Sequence, residues 1–165
     1  MNILRIFKHL LYPGWLSHRR FPAASLARIE SAIADSEARH HGEIRVAVET
    51  SLDLMPLLRG RTARQRALEV FCEQRVWDTE ANNGVLIYLL LADRDVEILV
   101  DREIARQVDA KVWEDLCNEM ENHFRDGAYE SGMLHAIATV GRHLARLYPR
   151  AREDVNELSN RPVRL

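Results

Sequence analysis

The sequence predicts an α/β fold: a single-domain α/β/α sandwich with a small mixed β-sheet that includes a central antiparallel hairpin. Three observations predict it. Residues 85–91 run Val-Leu-Ile-Tyr-Leu-Leu-Leu without a charge, which suits a strand covered on both faces. After Asp93-Arg94, Val96, Ile98 and Val100 alternate with Asp95, Glu97, Leu99 and Asp101, the period of a half-buried strand. Helical stripes of apolar residues precede and follow this pair, so both faces of the sheet have helices to cover them.

In chain order, Ile3, Leu4, Phe7, Leu10 and Leu11 share one face of a helix, Arg5 and Lys8 lie outside the stripe, and Trp15 follows. A basic amphipathic helix of this kind can lie on a membrane surface, dock into a partner's groove, or fold back over a sheet edge. The small apolar area of one short helix favours docking within the chain. Leu26, Ile29 and Ile33, after Pro22, predict a helix that ends near His40-His41-Gly42. Ile44, Val46 and Val48 then alternate with Arg45, Ala47 and Glu49 as a strand. Thr62 and Gln65 read as a capping box, and Ala63, Ala67, Val70 and Phe71 continue it as a helix toward Trp77.

That strand, this helix and the central strand make a crossover unit, expected to be right-handed and parallel. Asn83-Gly84 marks the loop before the central strand, since both residues tolerate positive φ. With Asp93-Arg94 as the hairpin turn, the chain returns to the level of that loop at about Asp101 to Glu103. Val112, Trp113, Leu116, Cys117, Met120 and Phe124 form one helix face, stopped by Asp126-Gly127. Tyr129, Met133, Leu134, Ile137, Val140, Leu144 and Leu147 form another, ended by Pro149. The chain thus divides into a basic amphipathic segment (1–22), a folded domain (23–149) and a tail (150–165) whose weak apolar periodicity predicts flexibility.

A chain of 165 residues can bury one good core, and an apolar content of 47% suits a globular protein. A net charge of -2 gives no overall reason to expect nucleic acid or an anionic membrane as a partner. The charge is unevenly spread, since residues 1–22 hold Arg5, Lys8, Arg19 and Arg20 and no acid, so any contact with lipid or polyanion starts there. Only Cys72 and Cys117 are present, both in helical patterns, which indicates neither a disulfide framework nor a zinc cluster and fits a reducing cytoplasm. No apolar run approaches the roughly 20 residues of a membrane span, and the N-terminus has no signal-peptide core.

The candidate site is the acidic loop. Asp78, Glu80, Asn83 and Asp101 gather at one sheet end, and the three carboxylates with the Asn83 side-chain oxygen could supply hard oxygen ligands for Ca²⁺ or Mg²⁺. The competing reading is structural: Asp78 or Thr79 caps a turn, Glu80 is solvated, and Asp101 pairs with Arg102 or Arg106. The histidines read as structural or surface groups. His40 and His41 cap a helix end, His123 is half exposed, and His135 and His143 stand too far apart on one helix for a shared ion. Cys72 beside Val70 and Phe71 reads as a buried helix thiol, and Trp77 and Trp113 as core residues.

The Asn82-Asn83-Gly84-Val85-Leu86 run followed by a hairpin resembles the TPM-domain family, shared by thylakoid, bacterial-envelope and related proteins. The wider likeness, from about His41 to Pro149, includes the Gly42-Glu43-Ile44-Arg45-Val46 strand and the helix of Trp113 and Phe124, and is similar to a soluble bacterial branch. The resemblance implies an α/β sandwich, divalent-metal binding, often of calcium, as in some members, and the acid phosphatase activity claimed for plant members. At Asp101-Arg102-Glu103-Ile104 the chain departs from the pattern, because a glycine usually stands at or near position 103. Three functions follow as expectations. The first is a non-enzymatic binding or accessory protein that uses the acidic loop for a divalent cation or partner. The second is a weak metal-dependent acid phosphatase at the same loop, with Arg102 orienting phosphate. The third is a peripheral membrane or assembly factor acting through residues 1–22.

Overall fold

The computed structural model describes residues 3–150 and 156–165. Its framework is a four-stranded mixed sheet in the order β3-β2-β1-β4. The strands are β1 (Glu43–Glu49), β2 (Gly84–Leu90), β3 (Asp95–Val100) and β4 (Val163–Arg164). β1 and β2 run parallel, with Glu43 opposite Gly84 and Glu49 opposite Leu90. β2 and β3 form the antiparallel hairpin, pairing Val85 with Val100 and Leu90 with Asp95. The crossover between β1 and β2 holds two helices, α4 (Leu54–Leu58) and α5 (Ala63–Glu73). The capping box of α5 is complete: Thr62 Oγ1 accepts from Gln65 N at 3.1 Å and Gln65 Oε1 accepts from Thr62 N at 3.1 Å.

Every residue of β2 is buried, as a run with no charge requires, because its alternate side chains enter two cores. Val85, Ile87 and Leu89 join Ile44, Val46 and Val48 of β1 on one face. That face is covered by α3 (Ala23–Glu37), α7 (Ala110–Arg125) and α8 (Tyr129–Leu147), through Ile29, Ile33, Trp113, Met120, Phe124 and Ile137. Leu86, Tyr88 and Leu90 face the other way, against Leu57, Ala67 and Val70 of the crossover helices. The apolar stripes on α3, α7 and α8 therefore bury where their periodicity places them. Gly127 stops α7 at a φ of 78°.

Several elements differ from the sequence reading. The α5 helix ends at Glu73 rather than running on to Trp77, Arg75 turns the chain at a φ of 54°, and Trp77 is 51% exposed. Cys72 is exposed as well, on the outer side of α5. Positive φ before β2 falls on Asn82 (50°), whereas Gly84 lies within the strand. The hairpin turn does carry positive φ, at Arg94 (57°). Short helices α2 (Gly14–Arg20) and α6 (Arg102–Gln107) have too few residues to show a period.

The tail expected to be flexible instead supplies β4, with Val163 opposite Ala47 and Leu165 N donating to Val48 O at 3.0 Å. Arg45 holds it further, donating to the carbonyls of Ser159 and Arg161. Residues 151–155 of that tail lie outside the described residues, as do Met1 and Asn2 of the N-terminal segment.

The N-terminal helix α1 (Ile3–Leu10) docks on the domain, but with the opposite face to the one its stripe suggests. Arg5 and His9 point inward, and Ile6 packs beside the crossover helices. Ile3, Leu4, Phe7, Leu10 and Leu11 face outward. The helix packs against α4 and at Asp93 in the β2–β3 turn, while the edge strands of the sheet are β3 and β4.

Candidate functional site

The acidic loop connects Val76 to β2 as a tight turn. Asn82 N donates to Thr79 O at 3.1 Å, and Thr79 Oγ1 accepts from Asn83 N at 3.1 Å. Thr79, rather than Asp78, is thus the residue whose side chain organises the turn, an arrangement typical of a short hydroxyl-bearing residue. Asp78 and Glu80 project into solvent on the outside of the loop. Asn83 and Asp101 are buried, at 1% and 8% exposure.

The register of the hairpin brings these two together at one sheet end, since Asp101 N donates to Gly84 O at 2.9 Å. Asp101 caps α6, its Oδ1 accepting from the backbone Arg102 N at 2.6 Å, and among the described residues it forms no ion pair with the guanidinium of Arg102 or Arg106. Arg106 instead bonds Glu103 on the same helix. Residue 103 therefore sits in a regular helical turn that any residue can adopt. Asn83 Nδ2 donates to His41 O at 3.0 Å, tying the loop to the end of the α3–β1 connection.

Each of the two buried residues keeps one oxygen without a hydrogen-bond partner: Asn83 Oδ1 and Asp101 Oδ2. A buried oxygen left in this condition costs about 1–3 kcal/mol. Hard cations take amide and carboxylate oxygens of this type, and Ca²⁺ completes its shell with carbonyls and water. The donor chemistry present fits such an ion in that respect. Among the described residues, no group of three His, Cys, Asp or Glu side chains is placed to hold a metal by itself. The four residues singled out in the sequence thus divide into a buried pair with spare acceptors and an exposed pair carrying charge.

Sequence reasoning missed Glu43 and Glu157. Glu43 opens β1 directly beside Gly84, is buried, and accepts from Glu157 N at 3.0 Å and Leu158 N at 3.1 Å. Glu157 in turn accepts from Glu80 N at 3.0 Å. The tail therefore clasps the acidic loop. The available signal was a carboxylate on the last residue before an apolar alternation, which is where a parallel strand end can present it. The histidines are placed as structural groups: buried His40 shares a hydrogen bond with Ser36, and His143 packs edge-on against Trp113. His135 pairs with Glu119 at 2.8 Å on the surface. Trp113 is buried as expected, and burial pushes the Cys117 thiol up to about 12, which leaves it inert at neutral pH.

The family model of the TPM domain matches residues 19–143. Among solved structures, the chain is similar to the BA42 protein of the psychrophilic bacterium Bizionia argentinensis, determined by NMR. The identity is 29%, the TM-score 0.76, and the match covers 87% of this chain and 94% of that one. It also matches the N-terminal domain of a protein from P. gingivalis, with 18% identity, a TM-score of 0.61, and coverage of 79% and 82%, a likeness of fold. No curated protein matches the chain.

Proposed function

The chain belongs to the TPM domain family, and on that premise we propose that it is a binding or accessory protein that takes a divalent cation, Ca²⁺ first, at the acidic end of its sheet. The observation that carries this reading is the pair of buried oxygens, Asn83 Oδ1 and Asp101 Oδ2, left without partners where β2 begins and β3 ends. These two would ligate the ion directly. Asp78 and Glu80, exposed on the loop above them, would contribute negative charge and an outer set of oxygens. A reducing compartment such as the cytoplasm belongs to the same reading, since Cys72 and Cys117 are both free thiols.

Weak metal-dependent acid phosphatase activity at the same loop, with the exposed Arg102 orienting phosphate, is the competing reading. The two differ in turnover and not in cation binding. The test is a calcium titration of isotope-labelled protein followed by amide NMR. One saturable shift of Asp78–Gly84 together with Asp101–Ile104, at micromolar to low-millimolar calcium, is the expected result. Immobility of both segments would overturn the cation reading. Release of p-nitrophenol from its phosphate ester, lost in Asp101→Asn, would move the assignment to phosphatase.

A further inference from the structure

Most of the large apolar side chains left in solvent belong to α1, the turn and helix that follow it, and α4. Leu4 is 81% exposed, Leu11 75% and Trp15 60%, with Ile3, Phe7 and Leu10 beside them. Leu54, Met55 and Leu58 of α4, the helix against which α1 packs, are exposed too. An apolar surface of this breadth marks an interaction site.

Its exposure is specified, because polar contacts fix the rotation of α1. Arg5 Nε lies 2.8 Å from Asp93 Oδ2, and Arg5 Nη1 donates to Arg61 O at 2.7 Å. One turn later, His9 Nδ1 accepts from Leu52 N at 2.9 Å and Nε2 stands 3.0 Å from Asp93 Oδ2. Residues 5 and 9 lie on the helix face opposite residues 3, 4, 7, 10 and 11. Turning the stripe inward would break all four contacts.

The charges around this face are mainly basic. Residues 1–22 contain no Asp or Glu, Lys8 and Arg19 are exposed along them, Lys8 also reaching Asp93 Oδ1 at 3.6 Å, and Arg59 is exposed where α4 ends, against one exposed acid, Asp53, where α4 begins. We propose that this face docks on an anionic lipid bilayer. α1 lies in the plane of the interface with Leu4, Phe7 and Leu11 toward the acyl chains, Trp15 sits at headgroup level, and the cations meet lipid phosphates.

The charge pattern decides for lipid over other occupants. A second copy would bring the same cations against one another, and a protein groove would have to be both acidic and apolar. Docking also orients the domain. α1 packs at the hairpin turn through Asp93, whereas the acidic loop lies at the other end of β2, seven residues or about 20 Å away. The acidic loop then faces the aqueous side, clear of lipid phosphates.

The experiment is co-sedimentation of the full chain with vesicles, either equimolar phosphatidylcholine and phosphatidylglycerol or phosphatidylcholine alone. The expected result is at least tenfold stronger partitioning to the anionic vesicles, weakened by added salt. Leu4→Asp/Leu11→Asp should lower it at least tenfold with an unchanged thermal midpoint, since neither side chain supports the fold. Arg19→Glu/Arg59→Glu should remove the preference for anionic lipid. Equal binding to both vesicles, binding to neither, or undiminished binding of Leu4→Asp/Leu11→Asp would overturn the proposal. So would a dimer in analytical ultracentrifugation that the same double variant dissolves while the parent ignores vesicles. None of these outcomes depends on the acidic loop, so the cation reading stands or falls separately.

Discussion

A β-carbon placed on Gly84 would lie 2.1 Å from the carbonyl oxygen of Val76. Val76 closes the α5 end of the acidic loop and Gly84 opens β2, so the glycine lets the two limbs of the loop cross in contact. This close approach is what the residue supplies, and the positive φ of the turn is carried by Asn82. The Val76 carbonyl is backbone and has nowhere to move without shifting the loop. Gly84→Ala should therefore destabilise the fold by about 3 kcal/mol or more, read as a fall in the urea midpoint with unchanged slope. Gly60→Ala, where a β-carbon meets nothing within 4 Å and only the positive φ is strained, should cost less.

Asp101 has two roles that one substitution separates. Asparagine is as good a helix cap as aspartate, so Asp101→Asn keeps the bond from Arg102 N to the side chain while removing the carboxylate charge. Calcium affinity measured by calorimetry should fall at least tenfold, with the metal-free melting temperature unchanged or higher. An unchanged affinity would remove Asp101 from the site.

How much was legible follows the range of the contacts. The β2 strand and the hairpin could be read because Val85–Leu91 and Val96–Val100 carry their own period and turn. The assembly of Asn83 with Asp101 followed from hairpin register, which is also local. The place of Glu43 at the start of β1 was a readable signal, but its clasp on the tail was not, because the backbone amides of Glu157 and Leu158 that it accepts from lie well over a hundred residues away. Nor was β4, whose two residues, Val163 and Arg164, are too few to show alternation. The amphipathicity of α1 was plain, yet its orientation is set by Asp93 and Leu52, which no periodicity reveals. Trp77 misled because an aromatic residue after a helical stripe reads as its continuation, while Arg75 had already turned the chain.

Asp95 begins β3 partly buried, and desolvation with the nearby charges of Glu97, Glu121 and Asp93 pushes its carboxyl up to about 6. The folded state thus holds its proton more tightly than the unfolded chain, where the group titrates near 3.9. Its ionisation costs stability progressively as pH rises from about 4 through 6. Asp95→Asn should gain about 1 kcal/mol at pH 7, allowing for the solvent that still reaches the group, and nothing at pH 3.5. Chemical denaturation at the two pH values measures the difference.

His9 makes the docking of α1 depend on pH. Because Nδ1 accepts from Leu52 N, the neutral ring carries its proton on Nε2, facing Asp93. Burial holds the His9 pKa below 6.5, against the opposing pull of Asp93, so the folded form resists the second proton, which would have to enter at Nδ1 and break the Leu52 bond. The contribution of His9 to docking is complete above about pH 6.5 and is lost as pH falls through its lowered folded pKa. Amide exchange in residues 5–10, corrected for its intrinsic pH dependence, should show protection at pH 7.5 that declines at pH 5, while Val85–Leu90 of β2 remains protected at both. His9→Ala should leave α1 unprotected at either pH and abolish the difference. Persistence of the pH dependence in that variant would assign the switch to another group on this face.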